Sequence, residues 1–340
     1  MSTATDLRST AEAMVANGIL AADESNKTAT KRLDSVGVES TPETRRAYRD
    51  MLFTAPGLGR FVSGVILYDE TIRQTTSDGT PFPKYLAGEG IIPGIKVDTG
   101  AKPLALHPEE KVTEGLDELR ERIEEYVGLG ARFAKWRAVI TIGDGMPSRA
   151  CITANAHALA RYAALCQEGG LVPIVEPEVM MDGDHSLERC GEVTEETLRT
   201  VFSALAEQGV DFTGMVLKPN MIIAGKGAAT QATVDEVAEA TVRCLRNTVP
   251  AAVPGIAFLS GGQSPELATA HLNAINHMGP QPWELTFSYA RALQEPALAA
   301  WKGESANVPA AQEALLHRAR CNAAARHGTY SEDMESSEAA

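Results

Sequence analysis

Short apolar, often β-branched runs alternate with longer stretches of helical periodicity along most of this chain. The runs that read as strands fall at 19–23, 61–68, 91–97, 132–140, 171–176, 211–218, 255–260 and 283–289. Their length and their Gly or Pro boundaries separate them from the helical stretches. Helix signatures lie between them. Thr41-Pro42 is an N-cap followed by a proline at the first helical position. Segment 113–127 puts Leu116, Leu119, Ile123 and Tyr126 on one face, and glycines 128 and 130 end it. Segment 147–168 is alanine-rich and stops at Gly169-Gly170, Thr233 to Glu236 is a capping box, and Ser264-Pro265 opens a further helix.

Strands followed by helices predict an α/β fold whose parallel sheet closes into a (β/α)8 barrel with additional N-terminal and C-terminal helices. The chain has 340 residues, more than the ~250 of a typical barrel. The surplus is assigned to helices near 6–17, near 42–54 and beyond 309. No low-complexity linker or repeat divides the chain, so 1–330 reads as one barrel domain. The acidic, small-residue stretch 331–340 reads as a mobile tail. A doubly wound open sheet is the alternative, yet Leu-Ala-Ala-Asp-Glu-Ser (20–25) is not the glycine-rich first turn such a sheet displays.

A formal net charge of −14 and a pI near 5.0 argue against nucleic acid or an anionic membrane as partner. No apolar run approaches the roughly 18 residues of a membrane span. The N-terminus lacks the basic-then-apolar pattern of a secretory leader. Cysteines 151, 166, 190, 244 and 321 are widely spaced with no C-x-x-C, which fits a reducing, cytoplasmic setting and neither a disulfide framework nor a thiolate zinc site.

Against that acidic background, ionisable residues at the ends of apolar strands stand out. Lys218 is a cation inside Met-Val-Leu-Lys-Pro-Asn (215–220), and Pro219 should stop the strand there and leave Lys218 at its mouth. Burial disfavours an ammonium, and a neutral amine attacks carbonyl carbon. A lysine that snorkels to solvent is the ordinary alternative. The other strand ends make it less apt: Asp23, Asp69, Lys96, Lys135 with Arg137, Glu176 and Ser260. Alternation puts Lys135 and Arg137 on one face above Phe133. A second cation, Lys135, would disfavour a charged Lys218, while Glu176 or Asp23 could shuttle protons. Glu178, beyond Pro177, is either a second carboxylate of the mouth or part of a surface loop.

Leu-Ser-Gly-Gly-Gln-Ser (259–264) follows the seventh strand and precedes a helix, which suits an anion site, and Arg291 after the eighth strand could add a guanidinium. Gly225-Lys226-Gly227 lacks the spacing of a P-loop. Asp182-Gly-Asp-His185 has no further ligand at calcium or zinc spacing, and histidines 271 and 277 do not share a helix face, so no metal site is expected.

Together these segments resemble the class I, Schiff-base-forming fructose-bisphosphate aldolases. The resemblance rests on Gly-Ile-Leu-Ala-Ala-Asp-Glu-Ser (18–25), Gly-Val-Ile-Leu (64–67), Gly-Ile-Lys-Val-Asp (94–98) and Phe-Ala-Lys-Trp-Arg (133–137). It continues through Ile-Val-Glu-Pro-Glu (174–178), Leu-Lys-Pro-Asn-Met (217–221), Leu-Ser-Gly-Gly-Gln-Ser (259–264) and Leu-Thr-Phe-Ser-Tyr (285–289). It implies a metal-independent, cofactor-free lyase of glycolysis and gluconeogenesis on a (β/α)8 barrel, usually a homotetramer. The implied substrate is a sugar bisphosphate, of six or seven carbons. Lys218 would form the imine, with Glu176 as acid/base, Asp23 at the C4 hydroxyl and Lys135 stabilising developing charge. Arg137, Lys96 and Glu178 would hold substrate. Ser260, Gly261 and Arg291 would bind the ketone-end phosphate, and Ser25, Thr28, Lys96 and Arg32 the other. Thr28 stands where serine is common in the family and Ala290 where glycine is common, and the chain lacks a terminal tyrosine. A transaldolase, a pyridoxal-phosphate enzyme, or a scaffold on an inherited barrel are the other readings.

Overall fold

Ten strands form in chain order: β1 (Gly18–Ala21), β2 (Val62–Leu67), β3 (Ile92–Lys96), β4 (Gly100–Pro103), β5 (Lys111–Glu114), β6 (Phe133–Ile140), β7 (Val172–Val179), β8 (Val216–Leu217), β9 (Gly255–Phe258) and β10 (Glu284–Tyr289). The structure is a computed structural model and describes the backbone of residues 2–336 and side chains from Asp6 onward. Eight strands close into a parallel barrel in the order β1-β10-β9-β8-β7-β6-β3-β2, with helices between them, while β4 and β5 pair as a separate antiparallel hairpin. This is the (β/α)8 barrel expected from the alternation.

Period-two alternation splits the buried side chains between two cores. Outward residues such as Leu20, Val65, Leu67, Trp136, Val175, Leu217 and Phe258 pack under the surrounding helices. Inward residues Ile19, Ala21, Ile66, Phe133, Val172, Ile174, Val216 and Ala257 fill the barrel together with Leu7, Ala11, Met14 and Val15 of the N-terminal segment. The helix Ser2–Met14 therefore plugs the barrel floor. Glycines make room for the bulkiest fillers. A Cβ on Gly94 would lie 2.2 Å from the Phe133 ring, and one on Gly255 would lie 2.7 Å from Val15.

The predicted helix starts form as read. Thr41 and Thr44 make a reciprocal capping box ahead of Pro42–Phe53, Thr233 and Glu236 make another, and Ser264 caps Pro265–His277. The helix beyond 309 spans Val308–Arg326, and Gln312 ties it to the Pro42–Phe53 helix through Met51 O at 3.0 Å.

Three boundaries differ from the reading. The stretch 113–127 is not one helix: β5 occupies its start, Gly115 breaks it at φ +124°, and the helix begins at Leu119. The strand read at 211–218 shortens to Val216–Leu217, because Asp211 accepts from Thr213 N–H at 2.9 Å and winds the preceding residues into a turn. Conversely, β7 runs through Pro177 to Val179 beside β6. Proline is tolerated there because that side of β7 faces the short β8, and two residues on the Val179 N–H donates to Asn220 Oδ1 at 3.0 Å instead. Within the 331–340 tail, Asp333–Ser336 forms a helical turn and Glu335 pairs with Arg318, while residues 337–340 lie outside the described residues.

Candidate active site

Strand periodicity carries a single column of inward side chains from apolar at the floor to ionic at the carboxyl end. On β6 the column reads Phe133, Lys135, Arg137, and on β7 it reads Val172, Ile174, Glu176, Glu178. These strands, with the ends of β1, β3 and β8, surround a cavity of about 750 Å³ lined by Asp23, Lys96, Lys135, Arg137, Glu176, Glu178 and Lys218. The same cavity is also lined by Ser25, Thr28, Arg32, Ser260, Gly261 and Arg291. Every residue read as a candidate for catalysis or substrate binding thus lines one space. Asp69 does not: it heads the helix Asp69–Ile72, pairs with Arg73 at 2.9 Å and accepts from Tyr126 at 3.0 Å.

The charges at the floor of the cavity form an alternating chain. Lys135 Nζ is 2.6 Å from Asp23 Oδ2 and 3.3 Å from Glu176 Oε2, and Lys218 Nζ is 3.3 Å from Glu176 Oε1. Lys218 and Glu176 are 4% and 3% exposed, so both side chains are out of bulk water. Glu176 stands between the two lysines, because a buried ammonium needs a carboxylate beside it. Glu176 Oε2 makes no hydrogen bond of good geometry despite the nearby Lys135. That oxygen is buried, with Lys135 Nζ at 3.3 Å as its neighbouring cation.

These pairings set the protonation states. Burial alone would raise Asp23, but Lys135, Lys218 and Lys96 outweigh it and hold its carboxyl well below the usual aspartate range. Burial likewise opposes ionisation of Glu176, yet Lys135, Lys218 and Arg137 bring its pKa down. Lys135 moves the other way: burial would lower it, and Asp23, Glu176 and Asp98 raise it above the ordinary lysine value. Both carboxylates are ionised at neutral pH and Lys135 is a fixed cation.

Around this floor, two further pairs hold the rim. Lys96 pairs with Asp98, which also accepts the Gly100 N–H at 3.0 Å and the Arg137 N–H at 3.2 Å. Arg137 pairs with Glu178, which lies on β7 and is buried, so it is a side chain of the mouth rather than of a surface loop. Ser25 caps the helix Asn26–Asp34, and its hydroxyl lies 3.2 Å from that of Thr28. Arg32, one turn further, pairs with Glu24. Glu24 in turn meets Arg49 at 2.5 Å, and Gln294 binds Glu24 at 3.0 Å and the Ala21 carbonyl at 2.6 Å. Beyond β9, Gly261 and Gly262 adopt φ of +58° and +83°, which bends the backbone into a concavity ahead of the Pro265–His277 helix.

Glu24, Asp98 and Gln294 were not singled out in the sequence. The first two lie inside motifs that were noticed, Ala-Asp-Glu-Ser and Gly-Ile-Lys-Val-Asp, whereas Gln294 carries no mark in its own helix. The five cysteines are all buried and free. Among the described residues, His317, Cys321 and Glu335 bring a ring nitrogen, a thiol and a carboxylate within 4.8 Å, but that carboxylate is engaged by Arg318 and by Tyr330 at 2.8 Å.

A lysine and a carboxylate lie buried side by side at the carboxyl mouth of a (β/α)8 barrel, an arrangement suited to imine chemistry. The family model "Fructose-bisphosphate aldolase class-I" matches residues 6–340. A probable fructose-bisphosphate aldolase class 1 of Xanthomonas campestris pv. campestris is 61% identical over 95% of this chain and 98% of its own length. The fructose-bisphosphate aldolase of Plasmodium falciparum is 51% identical over 96% of this chain and 90% of its own. A solved structure of Plasmodium falciparum fructose-bisphosphate aldolase, in complex with TRAP and a small-molecule inhibitor, superposes with a TM-score of 0.96 at 50% identity, covering 97% of this chain and 96% of that one. The chain belongs to the class I fructose-bisphosphate aldolase family, glycolytic lyases whose reaction runs through a Schiff base. No described helix is long and apolar enough to cross a membrane.

Proposed function

We propose that Lys218 forms an imine with the ketone of fructose 1,6-bisphosphate, and that the chain cleaves this sugar reversibly to dihydroxyacetone phosphate and glyceraldehyde 3-phosphate. The observation that carries the reading is the buried chain Lys218–Glu176–Lys135–Asp23. Glu176 is placed to take the proton that Lys218 must lose before its amine attacks C2, and to return it as the carbonyl oxygen departs as water. The protonated imine is then the electron sink. When the C4 hydroxyl loses its proton, the C3–C4 bond breaks, the aldehyde leaves and the bond's electron pair is held as an enamine. Glu176 receives that proton, and Asp23 orients the hydroxyl. Lys135, held cationic by its neighbours, stabilises the negative charge that develops.

Arg137, fixed by Glu178, and Lys96, fixed by Asp98, hold the substrate's hydroxyls. Ser260, Gly261 and Arg291 take the ketone-end phosphate, and Ser25, Thr28, Lys96 and Arg32 take the other. Lysines and arginines gathered at the mouth, on a chain of net charge −14, favour a polyanion such as a sugar bisphosphate over uncharged small molecules. By family membership the chain is proposed to act in the cytoplasm as a homotetramer, which light scattering of the purified protein checks.

Borohydride added with dihydroxyacetone phosphate is expected to reduce the imine and leave the substrate carbon skeleton on Lys218, read by mass spectrometry of the digested protein. Lys218→Met should give no adduct and no cleavage while keeping the wild-type circular dichroism. An unmodified wild-type enzyme, or an adduct on another lysine, would overturn the assignment.

A further inference from the structure

We propose that Lys226 is a substrate-binding residue for the ketone-end phosphate, a third cationic or polar arm beside Ser260 and Arg291. This rests on the aldolase reading above. Gly225-Lys226-Gly227, which lacks the spacing of a P-loop, has a different use in the fold. It lies in the loop that follows β8, and three backbone hydrogen bonds zip that loop to the one following β7. Lys226 N–H donates to Met181 O at 2.8 Å, Gly225 N–H to His185 O at 2.8 Å and Gly227 N–H to Gly183 O at 2.7 Å.

The two glycines allow this approach. A Cβ at position 225 would sit 2.5 Å from the Gly183 carbonyl oxygen, and one at 227 would sit 3.1 Å from it. Lys226 is the residue between them, so its backbone is fixed while its side chain crosses towards the loop after β9. Measured from the point where a Cβ on Gly262 would be, Lys226 Nζ is 3.0 Å away and Arg291 Nη2 is 2.8 Å away. An ammonium and a guanidinium thus converge over the left-handed Gly261-Gly262 backbone, in the cavity that Ser260 and Gly261 line. Two unlike-sourced cations held this close repel each other, and an anion between them relieves it.

What holds Lys226 otherwise is weak. Its nearest carboxylate oxygen, Asp182 Oδ1, is 3.5 Å away, and the two side chains are 47% and 63% exposed. A surface pair of this kind contributes little. A phosphate dianion, with charge-assisted bonds to several donors at once, is the stronger partner. Asp182 then serves as a resting place for the ammonium between turnovers.

Lys226→Met keeps the aliphatic stem and removes the charge. Steady-state cleavage is measured with fructose 1,6-bisphosphate and with fructose 1-phosphate, which carries the ketone-end phosphate alone. Loss of one charged contact made equally in ground and transition states should raise KM roughly tenfold for both substrates and leave kcat within about twofold. Lys226→Arg should restore most of the loss. KM unchanged for both sugars would overturn the proposal, and so would a rise for the bisphosphate alone, which would put Lys226 at the opposite phosphate. Borohydride trapping on the wild-type enzyme separates the two readings. Failure to trap sinks the aldolase mechanism, whereas normal trapping with an unmoved KM in the variant sinks only the role of Lys226.

Discussion

Glu176 shows how much one side chain can be asked to do when its two oxygens face two different lysines. Its Oε1 lies 3.3 Å from Lys218 Nζ, and in the proposed reaction the same contact makes it the base that releases the amine. Asp23 has the plainer task of fixing Lys135 as a cation, and this gives a pH-dependent prediction. Its pKa is lowered on folding, with burial opposing and Lys135, Lys218 and Lys96 prevailing. A group depressed in this way contributes stability in full above its unfolded value, ordinarily 3.8, and loses it as pH falls towards the folded one. Asp23→Asn should therefore cost about 3 kcal/mol at pH 7, the low end for breaking a buried pair, since Glu176 still faces Lys135. In urea titrations the gap between variant and wild type should narrow steadily below about pH 4. A gap that stays constant down to pH 3 would mean that the loss is one of packing. The floor of the site was legible because charges inside apolar strands are conspicuous. Asp98 and Glu24 were not, because each follows its strand by a residue or two, where a carboxylate is unremarkable. Only the folded chain reveals that one anchors Lys96 and the other Arg32.

At the scale of the element, the eight barrel strands were readable because each is an apolar run with clear punctuation. The hairpin β4–β5 was not. Its strands are half-exposed and polar, and Leu116 and Leu119 beyond it mimic a helical stripe that reaches back across Gly115. The end of β7 was underestimated for a related reason. Pro177 usually ends a strand, but here its missing N–H faces a neighbour too short to need it. The strand thereby carries Glu178 into the cavity beside Arg137. Register is guarded deeper in the barrel by glycine against aromatic. The Phe133 ring occupies the place where Gly94 would carry a side chain and lies 3.2 Å from the corresponding point on Gly64. Gly94→Ala should force the ring off its rotamer and destabilise the protein by about 1–3 kcal/mol, the usual cost of overpacking. Phe133 sits directly beneath Lys135, so the same change should also lower kcat. A thermal melt paired with a kinetic assay checks both. A variant as stable and as active as wild type would show that the ring can give way freely, against the close packing inferred here.

Across the whole molecule, the two ends of the barrel are separated by function. The N-terminal helix, Gly255 and the inward apolar residues form a dry plug at the floor, and the ionic column rises only past Phe133. The ties that hold the plug are remote from the cavity as well: Arg326 reaches the Val15 carbonyl at 3.2 Å and Glu284 at 2.7 Å. This division follows from energetics. Charges at the mouth are out of water and need partners, so the rest of the inner surface must be apolar enough to supply the stability they do not. It predicts distinct signatures for two substitutions. Met14→Ala removes a fully buried side chain from the plug and should destabilise the fold by about 2–5 kcal/mol with kcat/KM unchanged at temperatures where the variant remains folded. Glu176→Gln should cost stability on the scale of Asp23→Asn, about 3 kcal/mol, yet at temperatures where the variant remains folded it should lower kcat by on the order of 10²–10⁴, the range for an acid–base group. Its amide still offers an oxygen to one lysine, so the loss of stability should appear mainly above about pH 4, where the wild-type carboxylate is ionised. If Met14→Ala instead lowered kcat while sparing the melting temperature, the floor and the mouth would be mechanically coupled, and the separation of stability from chemistry along the barrel axis would not hold.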